Sequence, residues 1–532
     1  MSLISSGKSL TTDELSRLIS LRCETCWSFR TKVIRVMGNR KKFNNTLEFW
    51  KKLILINPVA SKVKLKINFL IKEFYKLHNT NLTYFMLTEL AVKLTGFILI
   101  SVLLSGGNPV YSQNPIVPPG LYFADPAAHV WKDGKIYVYG SRDESPEYYC
   151  SYTHDVLFSA DLIHWEIAEN VFASRGSEDK VAYSDHLLYA PDCMYKDGQY
   201  YLYYCLANQD NTEGVAASNS PLGPFASGKA INPEKVNQID PCVFIDDDGQ
   251  AYYLWGQFTA KMAKLKSNMQ EIDESTIRDS ILTESEHFFH EGGFLAKRNG
   301  IYYFIYAHIG RANRPTCIGY ATSNSPMGPY TYRGVIIDND HCDPAVWNNH
   351  GSIAEMNDQW YVFYHRSTHG SVTMRKACIE PIYFNTDGTI NEVEMTTQGA
   401  GKPISAVDRM EAERACLLFG NVRIRAFDKD KEELALMMND DKAAYKYIDF
   451  GGGVDSVLIR VAPGIEGARI EFAIDHSWGE SIAAIDIPVK KGEMDWIELT
   501  SEIKEVTGVH ALWLKFYGNN MNGMRVDWFQ FK

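Results

Sequence analysis

The chain has 532 residues, enough for more than one domain, with 45% apolar residues to fill the cores. Its net charge of -11 is uneven: residues 1–85 carry +11, so the remainder carries -22. An acidic body of that kind lacks the basic surface that phosphate backbones require, which excludes nucleic acid as a partner. Aromatic residues make up 13%, with 30 Tyr and 11 Trp, a composition that suits β-structure and sugar stacking alike.

The basic segment 1–85 offers helical patterns at 47–56 and 63–77 around Pro58, and a lone Cys23-x-x-Cys26 with no second pair to complete a metal site. Near Leu94–Leu104 an apolar run of about 11 residues is too short to span a bilayer, which takes roughly 20. Read from Met86, with Lys93 before the run and small and polar residues after it, the stretch to Gln113 has the layout of a secretory signal. The expectation is a secreted or periplasmic protein with no stable membrane anchor after cleavage, in which residues 1–85 fall outside the mature chain. The eight later Cys, from Cys150 to Cys416, are scattered inside apolar patterns and read as buried thiols, although Cys193 and Cys205 could pair across neighbouring strands.

From residue 114 one layout recurs five times: a leading polar residue, an apolar strand, a turn, then a Tyr-rich strand. The leading residues are Asp125, Tyr189, Asp240, Glu291 and His350, spaced 64, 51, 51 and 59 apart. The turns are Asp133-Gly134, Asp197-Gly198, Asp248-Gly249, Asn299-Gly300 and Asn357-Asp358; Asp-Gly and Asn-Gly between alternating apolar runs predict hairpins. A strand repeat of about 50 residues predicts propeller blades. The innermost strands of such blades line one channel, so the five leading residues should meet at one mouth of it. Three acids gathered there repel one another unless a proton or a metal relieves them.

These residues resemble glycoside hydrolase family 43 over about 118–393. The resemblance rests on Ala124-Asp125-Pro126, Ser159 to Trp165, Ala190-Pro191-Asp192, Asp240-Pro241, Glu291-Gly292 and His350-Gly351-Ser352-Ile353. It implies a five-bladed propeller and an inverting glycosidase acting on arabinose- and xylose-containing plant glycans. It further implies that Asp125 is the general base, Glu291 the general acid and Asp240 the group that orients the acid and tunes its pKa. Inversion needs this division, with water activated on one side and the leaving oxygen protonated on the other. By the same resemblance Tyr189 and Arg375 border the sugar, and His350 faces a channel calcium through water. Two positions depart from the family pattern: Gly293 stands where Pro is common, which predicts a looser turn, and Tyr189 stands where Trp is common.

Beyond Val393 short alternating strands, such as Val457–Val461 and Ala468–Ile474, predict a β-sandwich of jelly-roll type over 405–532. Met410-Glu411-Ala412-Glu413, Ile448-Asp449-Phe450-Gly451 and Val526-Asp527-Trp528 resemble carbohydrate-binding module family 6. That resemblance implies a structural calcium held by Glu413 and Asp527. The family's usual stacking aromatic is missing at Lys442-Ala443-Ala444, which leaves Tyr445, Tyr447 and Trp478 as candidates. The whole then reads as an all-β chain: residues 86–113 a signal peptide, 114–400 a catalytic propeller and 405–532 the sandwich. Its partner is plant cell-wall polysaccharide, as an α-L-arabinofuranosidase or β-xylosidase. An endo-acting arabinanase and a propeller that binds glycans without cutting them are the rivals. A fructan hydrolase is disfavoured, because Ala124-Asp125-Pro126-Ala127 lacks the Asn-Asp-Pro-Asn motif of those enzymes.

Overall fold

The computed structural model describes residues 113–207, 213–231, 239–489 and 496–532. The basic N-terminal segment, the signal-like stretch before Gln113 and Cys23-x-x-Cys26 lie outside the described residues. All described residues fall within one compact unit, Asn108–Lys532.

The repeats fold as five antiparallel blades. Blade one is β1 (Phe123–Val130), β2 (Ile136–Arg142), β3 (Thr153–Ser159) and β4 (Trp165–Ala173). Blade two is β5 (Leu188–Lys196), β6 (Gln199–Leu206), β7 (Glu213–Ser218) and β8 (Ala226–Ala230). Blade three is β9 (Cys242–Ile245), β10 (Ala251–Trp255), β11 (Thr259–Lys264) and β12 (Arg278–Thr283). Blade four is β13 (Phe289–Arg298), β14 (Ile301–His308), β15 (Cys317–Ser323) and β16 (Thr331–Asp338). Blade five is β17 (Ser352–Met356), β18 (Gln359–Thr368) and β19 (Ser371–Ile382). The first strands pack against one another in the cyclic order β1, β5, β9, β13, β17 and back to β1, which makes the fold a five-bladed β-propeller.

Turn chemistry explains the hairpins. In Asp197-Gly198, Asn299-Gly300 and Asn357-Asp358 both turn residues have positive φ, as a two-residue turn matched to strand twist requires. The fifth blade has three strands of its own. Its outer edge is supplied by the first described residues: the Ile116 N–H donates to Ala377 O at 2.9 Å, and the Asn114 side chain bonds both ways with the backbone of Ile379. The ring then closes on β1 through a single parallel pair, Phe123 with Lys376.

The high Tyr content belongs largely to the core. Each blade's second strand carries a fully buried Tyr: Tyr139, Tyr203, Tyr253, Tyr303 and Tyr364. Their hydroxyls donate to Pro221 O, Met269 O, Glu213, Gly388 O and Glu380, so each ring fills the space between blades without an orphaned polar tip. All eight described Cys are buried free thiols, Cys193 and Cys205 included.

The C-terminal region is a sandwich of two sheets. One holds β20 (Ile404–Ser405), β22 (Leu417–Phe419), β25 (Lys442–Asp449), β27 (Ala468–Ile474), β28 (Ser481–Ile487) and β30 (Val509–Tyr517). The other holds β21 (Met410–Glu411), β23 (Arg423–Asp428), β24 (Lys431–Ala435), β26 (Ser456–Ala462), β29 (Ile497–Glu502) and β31 (Arg525–Phe531). Their alternating apolar faces meet in one core that includes Leu434, Tyr445, Ile459, Phe472, Leu514 and Phe529.

Candidate active site

Backbone irregularities aim the leading side chains at the channel. Strand register slips between Ala124 and Ala127, between Tyr189 and Asp192, and between Glu291 and Phe294. A bulge of this kind bends a strand and redirects one side chain. Pro126 and Pro191 fall inside two of these slips, where a residue without an N–H costs no ladder bond. Asp125 and Asp240 both have positive φ, near 53° and 58°, a region that Asp tolerates better than most residues. In blade four the Gly292-Gly293 pair takes the Pro's place. Gly292 has φ 65°, and a Cβ there would come within 2.8–2.9 Å of the His350 ring; a Cβ on Gly293 would come within 2.7 Å of the Phe304 ring. The expected looser turn is therefore a filled one, because two rings occupy the space a side chain would take.

Four of the five leading residues form one electrostatic cluster. His350 Nδ1 lies 3.5 Å from Asp125 Oδ1 and 3.9 Å from Asp240 Oδ2. Burial alone would lower its pKa, but the surrounding Asp125, Asp240 and Glu291 raise it to about 9, so the imidazole is a cation at neutral pH. Asp125 accepts from Ser141 Oγ at 2.7 Å and from Arg375 Nη1 at 2.8 Å, and its N–H donates to His365 Nδ1 at 3.3 Å. Burial opposes its ionisation, yet Arg375 and His350 overcome it and hold the carboxyl well below the usual carboxylate range. Asp240 is treated differently. Burial pushes it up; His350 relieves part of the cost, while Glu291 and Asp125 add to it, and the carboxyl reaches about 7. Glu291 Oε2 accepts from Gln257 Nε2 at 2.8 Å. Tyr189 is half-buried beside this group, its phenol pushed up to about 12 chiefly by burial.

Arg375 is a buried member of this cluster. It is 2% exposed and grips Asp143 with two parallel bonds of 2.9 Å while its third arm holds Asp125. Tyr149 covers its guanidinium, 5.0 Å from ring centroid to cation. Asp143, Ser141, His365, Gln257 and Tyr149 were not singled out in the sequence. Asp192 of the Ala-Pro-Asp motif faces away from this cluster's chemistry: it binds His129 Nε2 at 2.6 Å and the Val243 N–H at 2.8 Å, tying three blades together.

Buried carboxylates held in contrasting protonation states beside fixed cations are the equipment of acid–base hydrolysis. Residues 112–390 match glycosyl hydrolases family 43, more than half of the chain. The chain belongs to that family. Residues 419–532 match the carbohydrate binding module (family 6). Among curated relatives, a xylosidase/arabinosidase of Thermoclostridium stercorarium is 30% identical over 77% of this chain and 97% of its own length. An arabinoxylan arabinofuranohydrolase of Bacillus subtilis (strain 168) is 28% identical over 79% of this chain and 92% of its own. A solved family 43 arabinoxylan arabinofuranohydrolase from Bacillus subtilis, in complex with cellotetraose, is 25% identical and covers 80% of this chain and 99% of its own, with a TM-score of 0.47. This family 43 protein is a glycoside hydrolase.

The calcium implied for the sandwich finds a partial fit. Glu413 is buried, its Oε2 has no hydrogen-bond partner, and burial pushes its carboxyl up to about 8, with Glu411 adding to the effect against the pull of Arg414. An oxygen left this way suits a hard cation. Asp527 is buried too, but its Oδ2 is engaged by Arg460 at 2.8 Å. Among the described residues no group of three or more His, Cys, Asp or Glu gathers in a metal-ligating arrangement. In the channel, His350 Nδ1 faces the carboxylates of Asp125 and Asp240.

The candidate stacking residues of the sandwich separate clearly. Tyr445 is fully buried, and so are Ala443 and Ala444. Tyr447 binds Glu394 through its hydroxyl. Trp478 is 81% exposed in the loop after β27, lying nearly parallel to His476 with centroids 4.9 Å apart.

Proposed function

We propose that this enzyme hydrolyses arabinose- or xylose-bearing linkages of plant xylan with inversion, using Asp125 as general base and Glu291 as general acid. Asp125 would take a proton from water as the water oxygen bonds to the anomeric carbon. Glu291 would give its proton to the departing glycosidic oxygen as that bond breaks. The observation that carries this reading is the contrast between Asp125 and Asp240. Arg375 and His350 keep Asp125 ionised, as a base must be, while Asp240 stands about 7 beside Glu291. The two relatives named above, a xylosidase/arabinosidase and an arabinoxylan arabinofuranohydrolase, support the sugar class.

The polymer is too large to enter a cell, which agrees with the signal-like stretch from Met86 and a secreted or periplasmic site of action. Trp478 supplies the sandwich's stacking face for sugar, since an exposed aromatic ring held flat by a neighbour presents apolar surface to the C–H face of a pyranose. Glu413 and Asp527 are the residues that would hold a calcium ion between the sandwich's two ends, and His350 would face a channel ion through water.

The test is hydrolysis of nitrophenyl α-L-arabinofuranoside and β-D-xyloside beside a Glu291→Gln variant, with the anomer first released followed by NMR. Cleavage of at least one substrate, an inverted product and a loss on the order of 10²–10⁴-fold in the variant are expected. A retained anomer would overturn the mechanism. Inactivity on both small substrates with cleavage of arabinan would favour the endo-acting rival, and inactivity on polymer as well would favour a binding propeller.

A further inference from the structure

Arg375 and Lys376 are consecutive on β19, so their side chains leave opposite faces of the strand. Arg375 turns inward to Asp125 and Asp143. Lys376 turns outward and meets the sandwich. Its Nζ lies 2.5 Å from Glu432 Oε2, and the two side chains are 3% and 1% exposed. Glu432 belongs to β24 of the sandwich. Its other oxygen accepts from the Tyr122 hydroxyl at 3.1 Å and from the Gly120 N–H at 3.4 Å. Tyr122 lies under the Lys376 ammonium, 5.2 Å from ring centroid to Nζ, and its carbonyl accepts from the Asp143 N–H at 3.2 Å.

These contacts fall on the joint where blade five closes on blade one. β1 and β19 meet through the single pair Phe123 with Lys376. Asp125 lies two residues beyond Phe123 on β1, and Arg375 one residue before Lys376 on β19. One carboxylate of the sandwich thus holds Lys376 of β19 and Tyr122, the residue just before β1, behind the residues that set the position and charge of Asp125. A charge pair this buried is costly to assemble and costlier to break from one side.

We propose that Glu432 is a positioning residue for hydrolysis: the C-terminal sandwich clamps the β1–β19 joint through it and so holds Asp125 and Arg375 in register. The sandwich is then part of the catalytic machinery's support as well as a module that meets polysaccharide. This rests on the reading of Asp125 as the base.

The experiment compares Glu432→Gln, Leu434→Ala and Asp125→Asn with the unaltered protein on a soluble nitrophenyl glycoside, which needs no polymer contact. Leu434 is buried in the sandwich core on the same strand, so its variant loses stability without touching the joint. Far below each melting temperature, Glu432→Gln is expected to lower kcat by roughly 10–100-fold with KM nearly unchanged, the cost of a small misplacement at the reacting centre. Leu434→Ala is expected to keep kcat. If Glu432→Gln does not fold, Lys376→Met with Glu432→Leu removes both charges and leaves neither unpaired, and the same fall in kcat is expected. Unaltered kcat in the folded Glu432 variant, or an equal fall in Leu434→Ala, overturns the clamp. Activity surviving in Asp125→Asn would instead overturn the assignment of the base.

Discussion

Replacing Asp240 by Asn should make the protein more stable and a poorer enzyme, and the stability gain should depend on pH. Folding carries the Asp240 carboxyl from 3.8 to about 7, a difference that corresponds to about 4 kcal/mol. The sign follows from linkage. Below pH 4 the group is neutral folded and unfolded, and its burial adds no charge penalty. Between pH 4 and 7 the unfolded chain ionises it while the folded chain does not, so stability falls as pH rises; above 7 the penalty is complete. Asn removes the carboxylate and keeps the positive φ that Asp240 adopts. Part of the gain is returned, because His350 draws some of its raised pKa from Asp240. About 2 kcal/mol should remain at pH 7, or about 2 °C in Tm for a unit of this size. Thermal unfolding of both proteins at pH 4 and pH 7 reads it directly. A shift that is equal at the two pH values, or a variant less stable at pH 7, would refute the reasoning.

Three other outcomes are expected. Gly292→Ala places a methyl group against the His350 ring in a backbone conformation that disfavours it, so stability should fall by about 1–3 kcal/mol and kcat should fall with it; an unaltered melting curve would contradict the packing. Trp478→Ala should weaken retention on xylan in affinity electrophoresis while leaving kcat on nitrophenyl glycosides untouched; unchanged retention would remove Trp478 as a sugar platform. Calcium should raise Tm and EDTA should lower it by a few degrees if the Glu413 oxygen receives a cation, and Glu413→Gln should abolish the difference; insensitivity to both reagents would argue that the pocket stays metal-free.

The fold was legible because its unit repeats. Five turns at a near-constant offset from a polar residue announce blades, and the blade geometry alone carries Asp125, Asp240, Glu291 and His350 to one place. What the repeat does not encode is the local slip that points them there. Pro126 and Pro191 were visible as parts of motifs, but their meaning as bulge residues depends on a partner strand's register. The resemblance that singles out Arg375 implies a place beside the sugar and says nothing of its partners. Its actual grip on Asp143 joins residues 232 apart, and nothing near either one signals the pairing. The sandwich shows the same limit in reverse. Trp478 and Tyr445 look alike in a list of aromatics, yet one ring is open to solvent and the other lies at 0% exposure in the core, because only strand pairing decides which face a residue shares.

On the proposed assignment the site is electrostatically uneven. Asp125 is held ionised by Arg375 and His350, His350 is raised to about 9, and Asp240 is raised to about 7 by burial and by the carboxylates beside it. A glycosyl transition state gains positive charge at the ring oxygen and anomeric carbon. Fixed groups aimed at charge that appears only in the transition state lower the barrier without tightening the ground state to the same degree. The burial and crowding that make Asp240 costly to the folded protein therefore belong to the same cluster that meets this charge on the proposed reading.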